Sequence, residues 1–261
     1  MSSIIRVSFV TAVALLGAAT AVFADPWESI REIPAVEAVQ AAASDGAVLY
    51  AINSRVIATY DRKSHQRIAV STGDAKHLNS GFVFKGKLFC AHSNYPATPE
   101  LSEIKVLDPA NMRLRTFHSF GNYGGSLVWV VRRGEHWWCN FAKYGDENAR
   151  TFLVRFDAAW RETGRWTYPD SVIRQLGRYS LSGGVWYGDE LLTTGHDRGE
   201  IYRLSIPETG TILRHLGTDK APFTGQGIAK DQLSGGLIGI SRAQRRIIVA
   251  GRPVKTEDTG L

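Results

Sequence analysis

Two short stretches carry side chains suited to proton transfer, His92-Ser93-Asn94-Tyr95 and Gly195-His196-Asp197. Imidazole titrates near neutral pH, so it can abstract a proton, and an adjacent carboxylate can hold it in one tautomer. His92 or His196 is therefore the candidate catalytic base and Asp197 its orienter. Arg242 is the candidate clamp for an anionic group, and Tyr144 or Tyr95 the proton donor or hydrogen-bond partner. His77, Asn79, Asn94 and Gln226 add polar contacts for a ligand. Each histidine also has a plainer reading, as a structural imidazole bonded to a neighbouring loop carbonyl. His77, His92, His196 and Gln226 could instead cage a divalent metal at the axis of a ring, since imidazole nitrogen suits first-row ions. No His-x-His or Cys-x-x-Cys spacing supports that cage, so metal and other cofactors stay open.

Other chemistries find less footing. Glycoside hydrolysis wants two opposed carboxylates; Asp197 has Glu100, Asp146 and Glu200 as partners, and no spacing selects one. Ser93 beside His92 is not a nucleophile motif, and the chain has no Gly-x-Ser-x-Gly elbow, phosphate loop or dinucleotide fingerprint.

The elements that must position these residues repeat along the chain. β-rich runs begin at Leu49, Leu88, Trp137, Leu191 and Leu237, spaced by 39, 49, 54 and 46 residues. Small residues precede four of them, as in Asn79-Ser80-Gly81, Gly125-Ser126, Ser182-Gly183-Gly184 and Gly225-Gln226-Gly227. A following strand closes on an aspartate turn at Asp61, Asp108 and Asp157, and a fourth strand reads at 66–71, 114–120, 164–168 and 211–216. Four strands per unit, repeated five times, is the pattern of an all-β, five-bladed β-propeller with four-stranded antiparallel blades. Small residues suit inner strands crowded at the axis. The fifth unit lacks an outer strand, so 30–39 is expected to supply it and close the ring, which removes exposed sheet edges. An open or differently counted β-sandwich is the alternative. Asp170–Gly177 reads as a short helix between blades three and four, with Asp170 as its cap.

Topology then gives the site an address. In an antiparallel blade the start of strand one lies beside the end of strand two, so loops at both places share a face. Strand-one starts contribute His77, Asn79, Tyr123, Tyr179 and Gln226; strand-two ends contribute His92, Asn94, Tyr95, Tyr144, His196, Asp197 and Arg242. Blade one offers only Gln40 and Asn53. The long loops after strand two of blades two and three lie on that face as well, and binding residues concentrate in such loops. Trp129 and Trp186, on strand one of blades three and four, read as wedges between blades rather than sugar platforms.

Composition bounds the rest. Arg6, the apolar run from Val7 and Val22-Phe23-Ala24 have the layout of a secretory signal peptide over 1–24, which implies a periplasmic or secreted protein. The propeller domain then spans 25–254, followed by a polar, frayed tail over 255–261. No second apolar segment is long enough to span a membrane. Removing Arg6 lowers the net charge from +6 to +5, which favours anionic partners, while basic runs with interleaved aromatics are absent and speak against nucleic acid. A monomer is expected. Cys90 and Cys139 hold the same column of adjacent blades and point in the same rotational sense, so a disulfide is not expected.

His77-Leu-Asn-Ser-Gly-Phe, His92-Ser-Asn-Tyr-Pro, Gly195-His-Asp and Gly225-Gln-Gly-Ile-Ala together resemble a family of exported bacterial β-propellers grouped with cycloisomerase-like and streptogramin-lyase-like propellers. The resemblance spans nearly all of the chain after the leader, with the four motifs assigned to four blades. It implies the fold and leaves the activity open. A looser similarity links the histidine-rich axis to propeller polysaccharide lyases, which pair histidines with tyrosine or arginine to remove a proton beside a uronate carboxylate; those chains are longer and have more blades. The expectation is an exported propeller that binds a small polar, anionic or carbohydrate-like ligand on one face, with lyase or isomerase chemistry. Its rival is a non-catalytic lectin-like or protein-docking propeller using the same face.

Overall fold

Each blade is built from local pairings, because a strand followed by a tight turn meets its partner at once. The computed structural model describes residues 26–253, so the leader over 1–24 and the tail over 255–261 lie outside the described residues. The first strand, β1 (Glu28–Pro34), is set aside for the last blade. Blade one comprises β2 (Ala41–Ser44), β3 (Val48–Ile52), β4 (Ile57–Asp61) and β5 (Arg67–Val70). Blade two comprises β6 (His77–Phe84), β7 (Lys87–Ser93), β8 (Ser102–Asp108) and β9 (Arg113–Gly121). Blade three comprises β10 (Ser126–Arg133), β11 (His136–Ala142), β12 (Phe152–Phe156) and β13 (Glu162–Thr167). Blade four comprises β14 (Gly183–Tyr187), β15 (Glu190–Thr194), β16 (Glu200–Ser205) and β17 (Arg214–Lys220). Blade five comprises β18 (Ala229–Lys230), β19 (Leu237–Ser241), β20 (Arg246–Gly251) and, outermost, β1. The chain is an all-β, five-bladed propeller.

Burial falls from the inner strand outward. In blade one β2 is wholly buried, whereas β5 is mostly exposed. The small residues of the inner strands answer to measured space: a Cβ on Gly227 would lie 2.6 Å from the Ala41 Cβ and 2.7 Å from the Ser80 Cβ. At Gly184 an added Cβ would meet the Trp129 ring at 2.6 Å, and Trp129 is fully buried there as a wedge between blades three and four. The aspartates that close strand three act as expected. Asp61, Asp108 and Asp157 each accept backbone N–H groups two residues on, the Asx geometry that reverses the chain.

The N-terminus closes the ring. β1 pairs antiparallel with β20 from Glu28 opposite Gly251 to Pro34 opposite Arg246, and buries Ile33 completely. It ends five residues before the expected limit, because the chain turns after Pro34, where the Ala38 N–H donates to the Ala35 carbonyl at 2.9 Å. A second lock joins blades five and one: Arg62 Nη2 meets Asp231 Oδ1 at 2.7 Å, with the aspartate side chain fully buried. Ser234 donates to the same carboxylate from its N–H (3.0 Å) and hydroxyl (2.6 Å), and Arg62 also donates to the Gly46 carbonyl at 3.1 Å.

The helical insert is shorter than expected. α1 covers only Asp170–Ile173 and its cap is Pro169, not Asp170. Beyond Ile173 the N–H groups of Gln175 and Leu176 bond three residues back, tightening the chain toward Gly177, which has φ +60. Val172, Ile173 and Leu176 are buried in the core between blades three and four. Both cysteines are free and buried. No helix among the described residues is long and apolar enough to cross a membrane.

Candidate functional site

The pairing of His77 with Ser93 and of Leu78 with His92 shows that the start of strand one and the end of strand two share a face. It also places the His77 and His92 motifs together in blade two, so the four motifs come from three blades rather than four.

The structure sorts the expected site residues into a central group and a scaffold. In the central group, His196 Nδ1 lies 2.7 Å from Asp197 Oδ1, a close approach whose angle falls outside that of a hydrogen bond. His196 Nε2 lies 3.4 Å from Arg242 Nη1, and Tyr179 stacks on the imidazole with ring centroids 4.0 Å apart and planes 8° from parallel. Arg242 can only donate, so Nε2 accepts from its guanidinium and the neutral tautomer carries its proton on Nδ1, facing Asp197. On the other side, the Tyr95 ring lies 5.3 Å from that of His77 and 5.2 Å from that of Tyr144. Burial, and then the charge of Arg242, push the His77 pKa down. Arg242 belongs to blade five and His77 to blade two, which are not neighbours, so this influence acts across the axis. Burial raises the Tyr144 phenol well above its usual range and keeps it a proton donor. His196, Asp197, Arg242 and Tyr179 thus form one cluster and His77, Tyr95 and Tyr144 a second, linked through the charge of Arg242 felt at His77.

The remaining expected residues hold the scaffold. Gln226 is buried with a left-handed φ of 68, conformation space that glycine usually fills. Its N–H donates to the Gly195 carbonyl at 2.9 Å, its side-chain amide donates to the His196 carbonyl at 2.7 Å, and its own carbonyl accepts the Thr194 hydroxyl. Gly225-Gln226-Gly227 therefore clamps the backbone that presents His196. The Asn79 amide donates to the Leu127 carbonyl at 3.0 Å and staples blade two to blade three. Asn94 pins its own loop, donating to the Pro99 carbonyl at 2.9 Å and accepting the Leu101 N–H at 2.8 Å.

His92 lies apart from His196. Its Nε2 accepts the Lys76 N–H at 2.9 Å, so the lone pair a base would use is occupied by backbone. Nδ1 sits 3.2 Å from Glu103 Oε2, again off the hydrogen-bond direction. Desolvation, reinforced by the charge of Lys105 and opposed by Glu103, lowers its pKa to about 4, so the imidazole is neutral at pH 7. Of the four side chains that could have caged a metal, the Nε2 of His92 and the amide nitrogen of Gln226 are committed elsewhere. Among the described residues no three His, Cys, Asp or Glu side chains gather as a metal site.

Two features of this face escaped the sequence reading. The insert Gly145–Arg150 forms a 3-10 turn whose Asn148 amide reaches the carbonyls of Gly177 (2.6 Å) and Tyr179 (3.3 Å), so two inserts brace one another behind Tyr179. A cavity of about 800 Å³ opens between blades one and two, lined in part by His92, Asn94 and Tyr95 but also by Arg55, Lys76, Glu103 and Lys105. Strand three also starts on this face, so Glu103 and Lys105, two residues apart on β8, carried the available signal.

No family profile matches the chain, and no curated protein matches its sequence. Among solved structures, the crystal structure of Myxococcus xanthus glutaminyl cyclase superposes with a TM-score of 0.59 at 11% identity, covering 86% of this chain and 95% of that one. A chain from the crystal structure of a mitotic checkpoint complex superposes with a TM-score of 0.51 at 9% identity, covering 98% of this chain and 100% of that one. At these identities the likeness concerns the fold: this chain is a β-propeller whose loop face carries ionisable side chains from blades two to five.

Proposed function

We propose that this protein is an exported, periplasmic or secreted propeller that binds a small anionic, carbohydrate-like ligand at the central group and acts on it as a lyase or isomerase. The observation that carries the reading is the line Asp197–His196–Arg242, with Nε2 of His196 3.4 Å from the guanidinium. A carboxylate that takes over the Arg242 guanidinium would free Nε2 of His196 and place its neighbouring C–H beside that lone pair. His196 takes that proton, Asp197 stabilises the imidazolium, and the phenol of Tyr144 or Tyr95 returns a proton to the carbanion or to a departing oxygen. A propeller that is an enzyme has a precedent in the glutaminyl cyclase neighbour. His92 serves here as a wall residue that holds the Lys76 backbone. A binding-only, lectin-like role is the second reading, favoured by the exposed rings of Tyr95 and Tyr179 (44% and 39%).

The test is metal analysis of the purified protein followed by a thermal-shift screen against uronides and neutral sugars. Stabilisation by uronides that His196→Ala or Arg242→Ala abolishes supports the site, and turnover lost in His196→Ala separates enzyme from lectin. Indifference to every acidic sugar refutes the reading.

A further inference from the structure

Apart from Tyr95 on its wall, the cavity between blades one and two takes no part in the chemistry above, yet its volume of about 800 Å³ is that of a small-molecule site. Its wall holds an ammonium in fixed position. The Lys105 side chain is only 10% exposed; its Nζ donates to Thr116 Oγ1 at 2.8 Å and is ion-paired with Glu103 Oε2 at 2.8 Å. An ammonium has three donors, so one remains for a ligand. Glu103 is committed to that lysine, whose hydrogen bond and charge outweigh desolvation and hold the carboxyl below its usual range. His92 adds no charge at neutral pH.

Two further cations stand on the rim. Arg55 and Lys76 are exposed, and neither joins the ion pairs found around the cavity among the described residues. The main chain carrying Lys76 is anchored by the bond from its N–H to His92 Nε2. Against Arg55, Lys76 and Lys105 stand Glu103, already paired, and the exposed Asp74. Such a balance of rigid and mobile cations suits an anionic oxo group. Tyr95 lines this cavity and also meets His77 and Tyr144, so one ring touches both the cavity and residues of the central group.

We propose that the cavity is a second anion subsite, and that the ligand is an oligomeric acid whose charged units occupy the cavity and the central group together. This rests on the central group binding an anion, as argued above. Linking two sites through one molecule converts the second contact into an intramolecular one, which raises affinity without any new contact.

The experiment is calorimetric titration of the protein with galacturonate and with its linear trimer. The trimer should bind at least about tenfold more tightly, the worth of one added charged contact. Arg55→Ala/Lys76→Ala should erase that gain and leave monomer binding unchanged; both residues are exposed, and Lys105 is kept because its loss would strand Glu103. Arg242→Ala should weaken monomer and trimer alike. Equal binding of the two ligands, binding of neither, or a gain that survives in the rim variant overturns the proposal. If Arg242→Ala leaves monomer binding intact while the rim variant still weakens the trimer, the central reading falls and the cavity stands.

Discussion

His92 offers a measurement that separates a structural imidazole from a base. Burial lowers its pKa from an ordinary 6.5 to about 4, while in the unfolded chain it returns to the ordinary value. Above pH 6.5 the ring is neutral in both states and titration contributes nothing. As the pH falls from 6.5 to 4, the unfolded state takes up a proton that the folded state refuses, so stability is lost across that window. The interval is worth roughly 3 kcal/mol at its acid end. For a domain of this size that is a fall of about 6–12 °C in Tm. His92→Gln is the informative variant, because its amide oxygen can reach the place of Nε2 and accept the Lys76 N–H while having nothing to titrate. Urea unfolding of both proteins between pH 4 and 7 gives the difference directly, and titrating groups beyond the reach of His92 cancel between them. The gap between the curves should narrow by roughly 3 kcal/mol toward pH 4 in favour of the variant. Parallel curves across the window would refute both the burial of His92 and its bond to the Lys76 backbone.

Other perturbations address the ring and the clamp. Asp231→Asn leaves the Arg62 guanidinium buried without its counter-charge and should cost about 3–5 kcal/mol, read as an early unfolding midpoint; a loss below about 1 kcal/mol would mean that the lock contributes little to closure. Gly184→Ala drives a methyl into the Trp129 ring and should destabilise by about 1–3 kcal/mol, with a change in tryptophan fluorescence that an unstrained site would not show. Gln226→Met strips the His196 carbonyl of its buried donor and should cost about 1–3 kcal/mol. It should also weaken uronide binding at Arg242, and unchanged stability together with unchanged binding would contradict the clamp.

Local chemistry explains why so much of the ring could be read from residues alone. Aspartates at 61, 108 and 157 reverse the chain through bonds to their own backbone, and the paired strands are sequence neighbours, so blade boundaries are short-range facts. The helix at Asp170 shows the opposite case. Its cap and length depend on how Val172, Ile173 and Leu176 bury between two blades, and no local propensity encodes that. The site divides in the same way. The polar face follows from the alternation of strand direction, which is why the sequence alone assigns to it His196, Asp197 and Arg242, and the separate pair Tyr95 and Tyr144.

Which of two similar motifs has its lone pair held by backbone, and which by an arginine that an anionic ligand could draw away, was beyond such reasoning. His92-Ser-Asn-Tyr and Gly195-His-Asp look alike as strings, yet a backbone N–H sixteen residues away occupies the lone pair of His92. Gln226 and Asn79, chosen as ligand contacts by residue type, spend their amides on carbonyls 30 and 48 residues distant. A residue type reports what a side chain can donate or accept; only the packed ring sets which partner reaches it first. Strand pairing, turn chemistry and the shared loop face were therefore carried by the chain's local pattern, while the division between scaffold and site came from contacts between blades.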